Sequence, residues 1–474
     1  MKAKFTWKML FILVLVLLTS CSRGSDSGTP DSPVAEYPPA TESGTYPGTP
    51  EPQETPKPET ILTPVPTPNP IFHSGNTRAQ YIEDLDYLYE ILKANFPHIN
   101  ALYRARGVCL HELFANARYT LEAAHHHSNF IRILHEEIFD QVNRFGHMDI
   151  LDSNRVRSLI PFRLTSEFAP FIEVMGNPAS RAFYSLTDAD FEPHVQEEPA
   201  QNHAQNPDAV QHQQGNVETK IIEQGRIAYV RIHQMSARSM AGDYLQLIQF
   251  YESIASYEHL IVDIRGNPGG DSRFFPDLVI APNINQTLYT NLFMFFMAGE
   301  HNMRFLKPLI ELGWLQVDPV HPGVFEELPH FSPQDIQGLD YYVRIVDQIN
   351  PSRDKAMFGG KIWLLIDGRN FSASGDAVEI VKQTGFATLV GEPTGSSGTG
   401  INPTIVALPN SGILIQYSSA YGTGFTGRNG YEYGTQPHMF NFEGMCALET
   451  TLALIERGEY YEAMAPISIA GPYA

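Results

Sequence analysis

The sequence has few cysteines and a shortage of positive charge. Only three of its 474 residues are cysteine, so a small fold held together by several disulfide bonds is excluded. Lysine and arginine together number 32 against 53 aspartate and glutamate residues, which gives a formal net charge of -21. Such a chain is not expected to bind nucleic acid or an anionic lipid surface through its charge. The HExxH zinc motif is also missing, and no metal or other cofactor is predicted.

The first 73 residues read as a signal followed by a tether. Lysines precede an apolar stretch from Met9 to Leu18, which is too short for a comfortable membrane span, and the next residues up to Cys21 resemble a bacterial lipobox. We therefore expect a lipoprotein signal peptide at 1–20 and a lipid on Cys21 that holds the protein at the extracytoplasmic face of the cell membrane. A plain signal with an incidental cysteine is the less favoured alternative. Residues 21–73 are rich in Pro, Thr and Ser, which predicts a disordered tether.

Residues 74–150 predict a small helical unit. Apolar side chains recur at helical spacing in three segments, Tyr81–Leu92, Leu110–Ala124 and Phe130–Val142. The three consecutive histidines at 125–127 would point in different directions on a helix, so they do not predict a metal site.

Residues 151–474 predict an α/β domain with a polar loop inserted at 193–218. No peptide-binding PDZ module can be placed before the strand that contains Ile227. The aromatic segment 287–358 is consistent with a lid or a substrate wall, although ordinary core is favoured. Cys109 and Cys446 could pair in an exported protein, and two buried free thiols are the favoured alternative.

The segment from Lys361 to Gly400 organises the domain. Its apolar run Ile362–Ile366 predicts a buried strand, a polar turn follows, and helical spacing then resumes until Gly385. Ser372 should therefore lie at the junction between a strand and the helix that follows it. At that position a serine is either an N-cap or a nucleophile whose hydroxyl is exposed beside free backbone amides.

The segment Asp263–Gly270 forms a second turn after a predicted strand. Its glycines allow backbone N–H groups to approach a reacting carbonyl, and a simple tight turn is the alternative. The turn lacks the GxGxxG spacing of a dinucleotide-binding loop.

The Lys361–Gly400 segment resembles the signature of the C-terminal processing peptidases, or tail-specific proteases, and of their tricorn-core relatives. In that family a strand ending in Asp precedes Ser-Ala-(Ala/Ser), a helix, a strand and Gly-Glu-x-Thr, and this chain carries Asp367, Ser372–Asp376 and Gly391–Thr394 in register. The Asp263–Gly270 turn is similar to the family's Asp-x-Arg-x-Asn-x-Gly-Gly turn. The resemblance implies that Ser372 is the nucleophile. It also implies an oxyanion hole made by Ala373 N–H together with the N–H of Gly269 or Gly270.

The resemblance also implies the remaining catalytic groups. His147 lies where tricorn-like relatives carry a Gly-His motif, so it would be the general base, and a structural histidine is the alternative. The segment Tyr431–His438 resembles the family's Glu-Gly-x-Gly-(Ile/Val)-x-Pro-Asp, so Glu432 would orient the imidazole directly or through neighbouring hydroxyls. Ser397 falls where tail-specific proteases carry a lysine base, which favours the Ser-His-Glu branch.

These expectations combine into one hypothesis. The fold should be α/β, with a crotonase/ClpP-like ββα core and a small helical N-terminal unit. The protein should be a membrane-anchored extracytoplasmic serine peptidase that hydrolyses peptide or protein substrates through an acyl-enzyme. A catalytically inactive peptide-binding lipoprotein of the same fold and a crotonase-fold esterase are the alternatives.

Overall fold

We describe a computed structural model of the chain, in which residues 75–124, 129–192, 215–353, 355–396, 400–424 and 426–460 are described. The predicted signal peptide, the tether, Cys21, the three histidines at 125–127 and Ser397 lie outside these residues. Most of the predicted polar loop at 193–218 lies outside them too. Its last two residues belong instead to a strand that begins at Val217, so the predicted loop ends too late.

Most of the described residues between 78 and 142 are helical, as predicted. The helices are α1 (Arg78–Asn95), α2 (Ile99–Arg106), α3 (Leu110–Ala123), α4 (Phe130–Leu134) and α5 (Asp140–Val142), with a helical turn at His135–Phe139 joining the last two. Thr77 caps α1 in a reciprocal capping box with Gln80, which explains where the helix starts. The apolar faces of these helices share one core with strand residues between 406 and 417.

The strands, in chain order, are β1 (Asp149–Ile150), β2 (Val217–Glu223), β3 (Ile227–Ile232), β4 (His259–Asp263), β5 (Leu288–Phe296), β6 (Asp318–Pro319), β7 (Tyr341–Ile349), β8 (Lys361–Ile366), β9 (Thr388–Gly391), β10 (Thr404–Ala407), β11 (Leu414–Tyr417), β12 (Ala420–Thr423) and β13 (Met439–Phe440). The remaining helices are α6 (Ser153–Leu159), α7 (Ala169–Met175), α8 (Pro178–Tyr184), α9 (Met240–Ser253), α10 (Glu300–Glu311), α11 (Pro322–Glu326), α12 (Ala373–Thr384), α13 (Gly430–Tyr433) and α14 (Ala447–Arg457).

A six-stranded sheet in the order β13-β9-β8-β4-β3-β2 forms the centre of the described chain. Its strands run parallel except β2, which is antiparallel to β3. Side chains alternate between the two faces of β8: Leu364 packs in the core that holds α9 and α12, whereas Trp363 and Leu365 pack in the core that holds α14. The predicted α/β fold class, with a ββα-type core and N-terminal helices, is confirmed.

Two smaller antiparallel sheets flank the central one, β1-β11-β10 and β12-β5-β7-β6. Phe293, Phe295 and Phe296 of β5 are fully buried, so this part of the aromatic segment is core, as favoured. No helix of the described residues is long and apolar enough to cross a membrane.

The two cysteines of the described chain are both free. Cys109 is half-buried, but Cys446 is exposed, so the expectation of two buried thiols is wrong. Cys446 is the N-cap residue of α14, and an N-cap side chain lies at the open end of its helix rather than on the packed face.

Candidate active site

Ser372 lies at a sharp turn between β8 and α12. Its backbone has φ 56° and ψ −131°, a conformation that a residue with a Cβ adopts only at a cost of about 1–3 kcal/mol. The helix begins at the next residue, Ala373, and the N–H of Asp376 bonds to the carbonyl of Ser372. A strained serine between a buried strand and a helix is the geometry in which a nucleophile's hydroxyl is exposed.

Side-chain hydrogen bonds hold this turn against the neighbouring loop. Ser374 Oγ donates to the carbonyl of Asn267 at 2.6 Å and accepts from Phe371 N–H at 2.8 Å. Asn370 Nδ2 donates to the carbonyl of Ile264. Ser374, the other serine of the motif, is therefore fully committed to structure, and Ser372 remains as the nucleophile candidate.

The Gly266–Gly270 turn packs directly on the Ser372 turn. Gly269 has φ +94°, and a Cβ built on it would lie 2.5 Å from the carbonyl oxygen of Phe371 and 2.8 Å from the nitrogen of Ala373. Both distances are shorter than a Cβ atom can tolerate, so no residue with a side chain fits at this position. Glycine is therefore required at 269 because the two turns touch there.

The three N–H groups predicted as oxyanion donors, those of Gly269, Gly270 and Ala373, differ in whether they already have a hydrogen-bond acceptor. Gly269 N–H already donates to Asn267 Oδ1 at 2.9 Å, so its predicted role as an oxyanion donor does not fit. Within the described residues, neither the N–H of Gly270 nor that of Ala373 has an acceptor. These two groups are the donors available to a developing oxyanion.

His147 reaches the site from a turn as strained as that of Ser372. Asn143, Arg144, Gly146 and His147 all have positive φ. The imidazole lies beside the residue that precedes the serine, with its ring centroid 4.7 Å from that of Phe371. Two chain segments more than two hundred residues apart therefore meet at the serine turn.

Burial controls the protonation of this imidazole. Burial, with smaller contributions from the charges of Arg144, His98 and Arg155, lowers the pKa of His147 to about 3. The imidazole is therefore neutral at neutral pH, which is the form that can accept a proton from a serine hydroxyl.

Tyr431, not Glu432, contacts the imidazole. The Tyr431 hydroxyl lies 2.6 Å from His147 Nδ1. The two carboxylate oxygens of Glu432 instead accept hydrogen bonds from Arg104 of α2 at 3.0 and 2.8 Å. The prediction that Glu432 directly orients His147 is not matched by this geometry, whereas a neighbouring hydroxyl does occupy that role. Residues 431 and 432 are adjacent on helix α13, and adjacent side chains on a helix point in different directions. Tyr431 can therefore face the imidazole while Glu432 faces Arg104.

Hydrogen bonds to residues of the N-terminal helical unit hold the turn that carries Tyr431. Asn429 Oδ1 accepts the N–H groups of Tyr431 and Glu432, and its Nδ2 lies 3.0 Å from Nδ1 of the buried His98. Arg104 also makes a bidentate contact with the fully buried Asp335. Sequence analysis missed Tyr431, His98 and Arg104. The Asn429 capping position was the one local signal for this turn.

Two buried carboxyl groups lie below the serine on α12. Burial raises the pKa of Asp376, with a contribution from the charge of Glu379, and Asp376 Oδ1 has no hydrogen-bond partner among the described residues. Burial also raises the pKa of Glu379, whose oxygens accept from Gln383 and from the Thr435 hydroxyl. Sequence analysis did not assign either group.

One protein-family model matches part of the chain. Residues 226–440 match the model of peptidase family S41. The matched S41 region is somewhat less than half of the chain and contains Gly269, Gly270, Ser372 and Glu432. His147 lies before it. The predicted resemblance is thus confirmed at the level of this peptidase family.

Solved structures show remote likenesses. A candidate peptidase from Parabacteroides merdae ATCC 43184 is 16% identical, with 80% of this chain and 97% of that chain covered at a TM-score of 0.47. Mature CPAF complexed with lactacystin is 15% identical over 80% of this chain and 97% of that chain, with a TM-score of 0.48. A lipoprotein from Streptococcus agalactiae is 13% identical over 82% and 99%, with a TM-score of 0.39. A search of curated proteins gives no match.

Proposed function

We propose that the protein is a serine peptidase that hydrolyses peptide bonds through an acyl-enzyme formed on Ser372. The observation that carries the proposal is the Ser372 turn itself, which is strained, adjacent to the His147 ring through Phe371, and packed on Gly269. The match of residues 226–440 to peptidase family S41 supports the same reaction class.

In the proposed reaction Ser372 Oγ attacks the substrate carbonyl and His147 removes the hydroxyl proton. Because Nδ1 faces the Tyr431 hydroxyl, Nε2 is the nitrogen left to act as the base, and Nδ1–H then donates to the tyrosine oxygen. The N–H groups of Gly270 and Ala373 stabilise the oxyanion. The imidazolium gives its proton to the leaving amine. Water then attacks the acyl carbonyl while His147 removes its proton, and the imidazolium returns that proton to Ser372 Oγ as the acid product leaves.

In this proposal Glu432 acts through its neighbour. Its ion pair with Arg104 holds the α13 turn, and the turn presents Tyr431 to the imidazole. Glu432 is therefore a positioning residue in the proposed site, as the indirect form of the sequence prediction allowed.

We further propose that the peptidase acts outside the cytoplasm, held to the cell membrane by a lipid on Cys21. The support is the lipobox-like sequence before Cys21 and the long Pro-, Thr- and Ser-rich segment after it. Metabolic labelling with an alkyne fatty acid tests this: the wild-type protein should be labelled, and a Cys21→Ala variant should not.

A peptide-binding protein without turnover is the second candidate. One observation favours it: the carboxylate expected to stabilise a charged imidazole is engaged by Arg104. With the pKa of His147 lowered to about 3, the imidazolium has little stabilisation apart from the Tyr431 hydroxyl.

A fluorophosphonate probe decides between the two candidates. A competent site should be labelled on Ser372, with labelling lost in Ser372→Ala and retained in Ser374→Ala if the latter folds. Hydrolysis of a peptide-amide library, compared with matched esters, then separates a peptidase from an esterase. Equal labelling of the wild type and Ser372→Ala, or none of either, would refute the proposed hydrolase.

A further inference from the structure

The backbone N–H of Ser372 is held by a side chain from outside its own helix. Ser372 is the N-cap residue of α12, and in a capping box its N–H would donate to a Glu or Gln at the third helical position. That position is Gly375, which has no side chain. The Ser372 N–H instead donates to Ser396 Oγ at 3.2 Å, and the two residues are 24 positions apart. Ser396 therefore supplies the acceptor that the helix itself lacks.

The segment that carries this acceptor, residues 394–396, packs tightly on the loop that precedes the serine. Gly395 N–H donates to the carbonyl of Asn370 at 3.0 Å. A Cβ built on Gly395 would lie 2.5 Å from the carbonyl oxygen of Gly368, so the two backbones are in close contact. Ser396 is fully buried. Its hydroxyl is therefore held in place by the fold.

The same segment also bonds the chain that follows Tyr431. Thr394 N–H donates to the carbonyl of Thr435 at 3.2 Å, and Thr435 N–H donates to Thr394 Oγ1 at 2.8 Å. The Thr394 hydroxyl in turn donates to the carbonyl of Ser396 at 2.8 Å. Tyr431, whose hydroxyl contacts His147 Nδ1, lies on the helical turn directly before Thr435. One short segment thus contacts both the turn of the proposed nucleophile and the turn of the imidazole's partner.

We propose that Ser396 is a positioning residue of the site. Its Oγ holds the N–H of Ser372, and through Thr394 it ties the Ser372 turn to the turn that carries Tyr431. The proposal rests on the proposed peptidase function and adds a residue to it. The bond matters because Ser372 has φ 56°, and a residue in such a conformation stays there only when its surroundings hold it. Without the acceptor the strained turn can relax, and the hydroxyl of Ser372 moves from its reactive position.

Threonine and valine at position 396 form a matched pair of variants. The two side chains have nearly the same size and shape, but only threonine has an oxygen that can accept an N–H. A difference between Ser396→Thr and Ser396→Val therefore reports the acceptor and not the added methyl group. Ser396→Ala removes the acceptor without adding volume. Ser180→Ala is the control for loss of a buried serine hydroxyl, because Ser180 is fully buried on α8 and donates to the carbonyl of Gly412.

The rate of fluorophosphonate labelling of the full-length protein is the first measurement. The rate should fall about 10- to 100-fold in Ser396→Ala and Ser396→Val, and Ser396→Thr should restore most of it. With a peptide substrate the same loss should appear in kcat with little change in KM, because Ser396 is buried and acts through the Ser372 backbone. Ser180→Ala should lose stability in urea but label at the wild-type rate. Equal labelling rates in Ser396→Thr and Ser396→Val would overturn the positioning role.

Hydrogen–deuterium exchange tests the connection without any need for activity. Residues 369–374 and 431–436 should both exchange about 10-fold faster in Ser396→Val than in Ser396→Thr, because both segments lose a shared support. A change confined to residues 369–374 overturns the tie to the Tyr431 turn. No change in either segment overturns the whole connection.

Failure of this role is distinguishable from failure of the peptidase. If the wild type is labelled on Ser372 and the position-396 variants label equally fast, the role of Ser396 is wrong and the peptidase stands. If the wild type is not labelled, the peptidase is wrong, and so is a role for Ser396 in turnover. Faster exchange in both segments of such an unlabelled protein would show that the connection belongs to a peptide-binding protein.

Discussion

Replacement of Gly269 by alanine tests whether the close contact between the Gly266–Gly270 turn and the Ser372 turn is needed. It distinguishes this contact from the backbone strain that any non-glycine residue with a positive φ carries. The new Cβ would lie 2.5 Å from the Phe371 carbonyl oxygen, 2.8 Å from the Ala373 nitrogen and 3.0 Å from Ser372 Cβ. All three atoms belong to the turn that carries the proposed nucleophile and one proposed oxyanion donor. The turn must therefore move to admit a single methyl group.

Gly266, in the same loop, provides a matched control. It also has a positive φ, +78°, but a Cβ there would meet only the Arg369 guanidinium at 3.5 Å, an ordinary contact. Gly266→Ala therefore carries the backbone strain alone, about 1–2 kcal/mol. Gly269→Ala carries similar strain plus overpacking of about 1–3 kcal/mol, so its total is about 2–5 kcal/mol.

Two measurements check this difference. Urea unfolding should give Gly269→Ala the larger loss of stability. The rate of fluorophosphonate labelling should fall about 100-fold in Gly269→Ala, the effect of a shift of about 1 Å in a reacting group, and should stay near wild type in Gly266→Ala. If the two variants lose equal stability and label at equal rates, the argument that Gly269 sets the Ser372 turn is wrong.

Three further predictions follow from the ionisable groups of the site. Because the pKa of His147 is lowered to about 3, the base stays neutral in acid, and kcat/KM should be retained at pH 5 instead of falling below pH 6.5. Tyr431→Phe removes the partner of Nδ1 and should lower kcat about 10- to 100-fold with little change in KM. Asp376→Asn should raise the free energy of unfolding at pH 7 by about 1–3 kcal/mol, because the raised pKa of the buried carboxyl destabilises the folded state as pH rises above 3.8.

Each of these predictions has its own control. An acid limb of kcat/KM near pH 6.5 would show that the imidazole is not buried in the active form. Tyr119→Phe changes an exposed tyrosine of α3 and should leave kcat unchanged; a loss equal to that of Tyr431→Phe would contradict the role of the hydroxyl. The gain from Asp376→Asn should vanish at pH 3.5, and a gain that is independent of pH would exclude ionisation as its cause. Asp188→Asn, an exposed carboxylate, should have no effect.

Local sequence was sufficient to predict the strand, the turn and the helix around Ser372. The apolar run before Asp367, the polar turn and the helical spacing up to Gly385 describe β8, the Ser372 turn and α12 as the structure has them. These features depend on residues that are close in the chain. The same is true of α1, whose capping residue and apolar face are both local signals.

Contacts between distant residues were harder to predict. The sequence pointed to Glu432, but whether residue 431 or 432 faces the imidazole depends on how α13 is rotated by Asn429, His98 and Arg104. Likewise, the choice between Gly269 and Gly270 as oxyanion donor depends on one side-chain bond from Gly269 N–H to Asn267. A shift of one residue reverses a role in both cases, and sequence pattern does not resolve such a shift.

The sequence alone predicted the α/β fold class and the position of Ser372 at a strand-to-helix turn, because hydrophobic period and turn residues encode local conformation, whereas the candidate role of His147 came from the resemblance to a peptidase family. Only the tertiary structure decided that Tyr431 faces the imidazole and that Glu432 pairs with Arg104. These are relations among side chains hundreds of residues apart. Their geometry is set by the packing of the N-terminal helices and the small sheets around the site, and no local pattern records it.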